Sequence, residues 1–246
     1  MALNVNLGKA TESLKLSLKK AGVLTPPQLE VGFAMDVSGS FEDEHESGVT
    51  NDLMTRLIPW GLAFDPDQKV DCFTFSDGAG GVDDVGPINA NNYEGFVHKK
   101  IIRKVKGWNG ATDYSYVLER MLTHFGWLGE VKKAGFLGGL FGKKDQIVQG
   151  QKRRSLAIII TDGDNADKNR TMEVLRASQA RQDQVYFLFL GVSNQNARFP
   201  FLEKVGDHFD NTGFVAISNL SQFVQLSDEE INAKLINQEL INWLKG

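Results

Sequence analysis

The stretch from Val31 to Gly48 reads VGFAMDVSGSFEDEHESG. It begins as an apolar run of strand length, then sets Asp36, Ser38 and Ser40 at alternate positions ahead of an acidic segment. Side chains at alternate positions of an extended chain share a face, so a carboxylate and two hydroxyls leave the strand end pointing the same way. A strand that is apolar on both faces belongs in a parallel sheet covered by helices. In open sheets of that kind, ligands bind at the carboxyl ends of the strands. The stretch therefore predicts a buried strand whose exit offers oxygen donors to a hard cation.

Further along the chain, strand-length apolar runs alternate with segments of helical spacing. The strand candidates are LEVGFAMD, KVDCFTFS, SLAIIITD, QVYFLFLGV and GFVAIS. Between them, Leu53, Leu57, Ile58 and Leu62 share one helical face, as do Val117, Leu118, Met121 and Leu122, and a third helix is expected from about Lys168 to Gln182. Glycines and a proline assign GVDDVGPI to a sheet edge. Beyond Leu220 the sequence predicts two helices, with Ser227 as the second N-cap and Glu229 and Glu230 in its first turn. The fold class is α/β: a doubly wound, mostly parallel central sheet flanked by helices, a three-layer Rossmann-like sandwich.

Two segments fall outside the alternation. Leu14, Leu16 and Leu18 alternate with polar residues, which favours a strand or hairpin at the N-terminus, although Leu14 and Leu18 also fit helical spacing. The second is an insertion at about 128–153, where lysines flank a glycine-rich apolar centre of Phe136, Leu137, Leu140 and Phe141. It is long for a connection and too rich in glycine for a good helix. Basic ends around an apolar middle suit a partner or a peripheral contact with an anionic membrane, but a loop folded on the protein's own surface is the favoured reading. The expected division is an N-terminal extension (1–27), a central domain (28–225) and a C-terminal helix packed on it (226–246).

At 246 residues and 41% apolar content the chain can fill one α/β core. A net charge of −4 gives no reason to expect nucleic-acid binding. The single cysteine, Cys72, lies in a strand candidate and reads as a small core residue. No secretion signal or membrane-spanning run is evident, so a cytoplasmic protein is expected.

Further oxygen donors stand at other strand ends. LAIIITDGDNAD closes an apolar strand with Asp162, and GWNGATDYSYVLERML places Thr112 in a glycine-containing loop before a helix. Asp36, Ser38, Ser40, Thr112 and Asp162 form an all-oxygen set that suits magnesium, with manganese or calcium also compatible.

Asp36-Val37-Ser38-Gly39-Ser40, the threonine of NGATD and the aspartate of IIITDGD together resemble the metal-ion-dependent adhesion site of the von Willebrand factor type A (vWA) family, over roughly Gln28 to Gln225. The resemblance implies Ser38, Ser40 and Thr112 as direct or near-direct metal ligands, with Asp36 and Asp162 holding the metal directly or through water. Phe41 stands where many relatives have methionine. LKLSLKKAGV ahead of VGFAMDVSGS is most similar to the cytosolic bacterial members associated with tellurium resistance and stress operons. The implied function is metal-dependent binding of a protein partner that supplies an acidic ligand.

Taken alone, Asp36, Ser38 and Ser40 also fit a turn that caps the next helix, and Thr112 fits an N-cap for a helix beginning near Asp113. Asp164 and Asp167 read as turn formers or caps, and Glu42, Asp43, Glu44 and Glu46 as a solvated helix start. HKKIIRKVKGW reads as a helix end displaying charge to solvent. The alternative function is a magnesium-dependent phosphohydrolase. Against it, DVSGS lacks a second carboxylate two positions after the first, and neither a phosphate-binding glycine loop nor a nucleophile elbow is present. No enzymatic activity is expected. A third reading moves binding from the crevice to the insertion at Phe136 to Phe141.

Overall fold

The computed structural model describes residues 3, 5–132 and 146–246. Its core is a six-stranded sheet of β1 (Glu30–Asp36), β2 (Lys69–Phe75), β3 (Asp83–Asn89), β6 (Ser155–Thr161), β7 (Val185–Val192) and β8 (Thr212–Ile217), in the order β3-β2-β1-β6-β7-β8. All neighbours run parallel except β3, which pairs antiparallel with β2 at one edge. That is where Gly86 and Pro87 interrupt the ladder least. The five apolar runs all become strands, and β6 and β7 are buried at every position.

The period of two divides each strand between two apolar layers. Val31, Phe33, Met35, Leu156, Ile158 and Ile160 face one layer. It is covered by α1 (Leu7–Lys20), α3 (Val49–Phe64), α7 (Leu220–Phe223), α8 (Asp228–Leu235) and α9 (Gln238–Lys245). Ala34, Phe73, Phe75, Ile159, Phe187 and Phe189 face the other. There they meet α4 (Ser115–His124), α5 (Lys168–Ala180) and α6 (Pro200–His208). Cys72 is fully buried, as its strand context predicts, and burial pushes its thiol pKa up. Among the described residues no helix is long and apolar enough to cross a membrane.

Two expectations need correction. The N-terminal segment is a helix: α1 starts at Asn6, whose side chain accepts from the Lys9 amide at 3.0 Å, and it buries Ala10, Thr11, Leu14 and Leu18 while Leu16 remains 55% exposed. The strand-like alternation was misleading because its middle leucine faces solvent. Burying Leu14 and Leu18 against α3 and α8 yields about 1.5–3 kcal/mol each, more than local strand propensity offers. The C-terminal segment holds three helices where two were expected. Ser227 and Glu230 form a full capping box on α8, and the chain restarts at Asn237, whose side chain accepts from the Leu240 amide at 2.8 Å. Arg56 of α3 secures this segment through the carbonyls of Val224 and Leu226 and the carboxylate of Asp228. HKKIIRKVKGW does close a helix and display its charges to solvent, the helix being one π-helical turn, Val97–Ile101, with Val97 and Ile101 buried, followed by a chain of turns.

The ends of the insertion form a two-stranded antiparallel ribbon, β4 (Glu130–Lys132) with β5 (Gln146–Val148). Phe136, Leu137, Leu140 and Phe141 lie outside the described residues.

Candidate metal centre

β1 and β6 are neighbours, yet the chain leaves them toward opposite edges of the sheet, β1 to β2 and β6 to β7. This switch point opens a crevice at the strands' carboxyl ends. Asp36 closes β1 there and is fully buried. One carboxylate oxygen accepts the Ser38 amide at 2.8 Å, and the other accepts the hydroxyl of Thr161, the last residue of β6, at 2.6 Å. The next loop is pinned by backbone bonds: the Val37 amide to the Phe75 carbonyl, the Asn109 amide to the Val37 carbonyl at 2.8 Å, and the Gly39 amide to the Gly110 carbonyl at 2.9 Å. A Cβ at Gly39 would lie 2.5 Å from the Asn109 side-chain oxygen, so a larger residue here would have to displace that side chain.

The remaining sequence-predicted residues join here. Ser38 Oγ and Ser40 Oγ are 3.2 Å apart, and Ser40 donates to Asp162 Oδ1 at 3.0 Å. Thr112 is nine-tenths buried, and its side chain is near enough to Asp36 to help pull that carboxyl's pKa down. Its carbonyl accepts the Ala166 amide at 2.9 Å, tying its loop to the one that follows Asp162. All five side chains thus converge. Asp36 and Ser38 do form a local turn, but no side chain caps the short turn after Ser38 or α2 (Glu42–Ser47). The serine hydroxyls turn instead toward each other and Asp162.

The donor set is two carboxylates and three hydroxyls. Among the described residues neither Asp36 nor Asp162 is in an ion pair. Burial pushes the Asp36 carboxyl up to about 6, against hydrogen bonds from Thr161, Ser38 and Thr112 that pull it down. Burial, then the charges of Asp36 and Glu44, push Asp162 up to about 7. Two desolvated carboxylates with no cationic partner are costly when ionised, and an all-oxygen set fits a hard divalent cation. The residues present therefore fit such an ion.

Thr112 does not cap α4. That role falls to Asp167, whose carboxylate accepts the amides of Tyr114 at 3.0 Å and Ser115 at 2.9 Å, together with the Thr171 hydroxyl of its own helix. Asp167 thus joins the starts of α4 and α5, and with them the loops carrying Thr112 and Asp162. The sequence showed only a capping residue before α5, with nothing to indicate that it caps a helix 53 positions away. Asp164 pairs with Lys168 at 2.7 Å, and Glu42 and Glu46 with Arg103. His45 is also enclosed: its Nε2 lies 2.8 Å from the Asp36 carbonyl and its Nδ1 3.0 Å from the Thr50 hydroxyl.

A family model described as the vWA domain found at the C terminus of TerF matches residues 28–134 and 143–246. The uncharacterized protein YcbR of Bacillus subtilis (strain 168) is 23% identical over 239 residues, covering 95% of this chain and 84% of that protein. Among solved structures, proximal thread matrix protein 1 from the mussel byssus superposes with a TM-score of 0.51 at 14% identity, over 82% of this chain. The match spans only 47% of the mussel protein, about half its length, and the likeness is one of fold. The manganese-loaded TRAP protein of Plasmodium vivax gives a TM-score of 0.48 at 14% identity, over 87% of this chain and 73% of that one.

Proposed function

The chain belongs to the vWA domains of the type found at the C terminus of TerF, and from that premise we propose that it is a metal-dependent protein-interaction module. Domains of this family are usually interaction modules without catalysis. The observation that carries the reading is the convergence of Asp36, Ser38, Ser40, Thr112 and Asp162 with, among the described residues, no cationic side chain paired to either carboxylate. Those five residues would hold the ion, magnesium being the best match to an all-oxygen set and manganese or calcium also compatible. Three neutral hydroxyls leave a divalent cation electrophilic, and it supplies a docking point for a partner's carboxylate.

The chain's own charges support an acidic partner. Lys99, Lys100, Arg103, Lys104 and Lys106 are exposed along the segment that leads into Asn109 and Gly110, the residues bonded to the Ser38 loop. Glu42 and Glu46 offset only Arg103, and Asp83 only Lys106. Such a strip draws acidic segments toward the crevice. The system served is a bacterial tellurium or toxic-anion resistance or stress response in the cytoplasm, without nucleic-acid binding.

The alternative, a magnesium-dependent phosphohydrolase, needs a base free to move a proton. His45, the histidine nearest in sequence, is committed to Asp36 and Thr50. The test is affinity capture from lysate in magnesium, in chelator, and with an Asp36→Ala bait in magnesium. Proteins held only by the wild type in magnesium bear out the reading; the same proteins in all three arms refute it. Magnesium-dependent turnover of p-nitrophenyl phosphate that Asp36→Ala abolishes would favour the enzyme.

A further inference from the structure

Buried histidines are uncommon, and His45 is fully buried on α2, next to the strand end that carries Asp36. Its surroundings fix its tautomer. The Asp36 carbonyl can only accept, so Nε2 carries the proton and donates to it at 2.8 Å. Nδ1 is then an acceptor, and the Thr50 hydroxyl, itself fully buried at the start of α3, donates to it at 3.0 Å. The ring lies between two aromatics: the Phe41 centroid is 4.8 Å away and the Trp108 centroid 5.4 Å.

Each contact reaches a different part of the crevice. The Asp36 carbonyl belongs to the peptide unit that leads into Val37 and Ser38. Phe41 follows Ser40 directly. Trp108 precedes Asn109 and Gly110, which bond to Val37 and Gly39 and lead into Thr112. Thr50 anchors the ring to α3, one of the large core helices.

We propose that His45 is a positioning residue for the metal centre: one imidazole sets the exit direction of β1 and the spacing between the Asp36-Ser38-Ser40 loop and the Thr112 loop. The proposal rests on the metal reading above. A hydroxyl-rich site depends on such support, because neutral oxygens bind weakly unless all are held at the ion's distances together. Removing a group that orients ligands from behind typically costs 10–100-fold in metal affinity.

The test is a manganese titration followed by electron paramagnetic resonance, at a temperature where every variant is folded by circular dichroism. Wild type, His45→Phe, His45→Gln, Thr50→Val and Asp36→Ala are compared. His45→Phe keeps an aromatic ring between Phe41 and Trp108 but neither hydrogen bond, and its affinity is expected to fall roughly 10-fold or more. His45→Gln restores an N–H at the reach of Nε2 and should recover most of that loss. Thr50→Val, which frees the ring to rotate, should also weaken binding, by less than His45→Phe. A merely structural histidine would lower the melting temperature and leave the affinity of the folded protein unchanged; that result in His45→Phe overturns the proposal. Should His45→Phe fail to fold, unchanged affinity in Thr50→Val overturns it instead. If wild type and Asp36→Ala are equally blind to manganese, the metal reading itself falls and takes this inference with it.

Discussion

Asp36 and Asp162 are held apart from every cationic side chain among the described residues, and the acidity of the centre follows from that. Their carboxyls are raised to about 6 and about 7 by burial, from an ordinary value of 3.8. The fold thus tolerates the neutral acids better than the anions. For the metal-free protein, the contribution of this pair to stability is greatest below the ordinary value and is lost as the pH rises through 6 and 7. The metal requires the anions, so its affinity runs the other way. Between about pH 8 and pH 5.5 the manganese affinity should fall by roughly 100-fold as both groups take up protons. A pH series of calorimetric titrations checks this, and a flat profile would show that these carboxylates do not hold the ion. Asp36→Ala should abolish binding while leaving the melting temperature of the metal-free protein at pH 8 equal or higher, because a buried, unpaired carboxylate has been removed.

At the scale of the elements, local pattern and burial disagree in one place, and burial wins. Leu14, Leu16 and Leu18 look like an alternating strand, yet α1 buries the outer two and exposes the middle one. Leu14→Ala should therefore cost about 2–5 kcal/mol, whereas Leu16→Ala should change stability by no more than about 0.5 kcal/mol. Equal costs in urea melts would contradict the helix. Asp167 presents the opposite case, a residue whose sequence signal was local and whose action is long-range. It accepts amides from the start of α4 and a hydroxyl from α5; burial pushes its carboxyl up, but hydrogen bonds from Ser115, Asn165 and the Tyr114 amide outweigh it and hold the carboxyl below the usual range. Its stabilisation is present above the ordinary carboxylate value and is lost as the pH falls through its lowered one. Asp167→Ala should remove about 1–2 kcal/mol, a drop of roughly 2–8 °C in melting temperature for a chain of this size, measurable by differential scanning calorimetry at neutral pH.

For the whole molecule, the sheet and its crevice were legible because β1, β6 and β7 are apolar along most of their length and the oxygen-bearing residues stand where strands end. Ile158 to Ile160 are fully buried and Asp162 stands half-buried at the rim. What stayed hidden is what depends on contacts between distant segments: the helical N-terminus, the restart at Asn237, the cap Asp167 gives to a helix 53 residues away, and the enclosure of His45. Charge is also distributed unevenly across the molecule. The net charge is −4, yet five exposed cations crowd the segment from Lys99 to Lys106 beside the crevice. Replacing Lys99 and Lys100 by glutamate should slow association with an acidic partner several-fold and reduce its salt dependence, with manganese affinity unchanged. Stopped-flow kinetics at two ionic strengths would show this. The central claim is that the Ser38 loop, Thr112 and Asp162 hold one divalent cation, and the most direct measurement is anomalous diffraction from crystals grown with manganese. The account predicts a single strong peak between Ser38, Ser40 and Thr112, within about 2.0–2.3 Å of their hydroxyl oxygens. An empty crevice at saturating manganese, or a peak elsewhere on the surface, would contradict it.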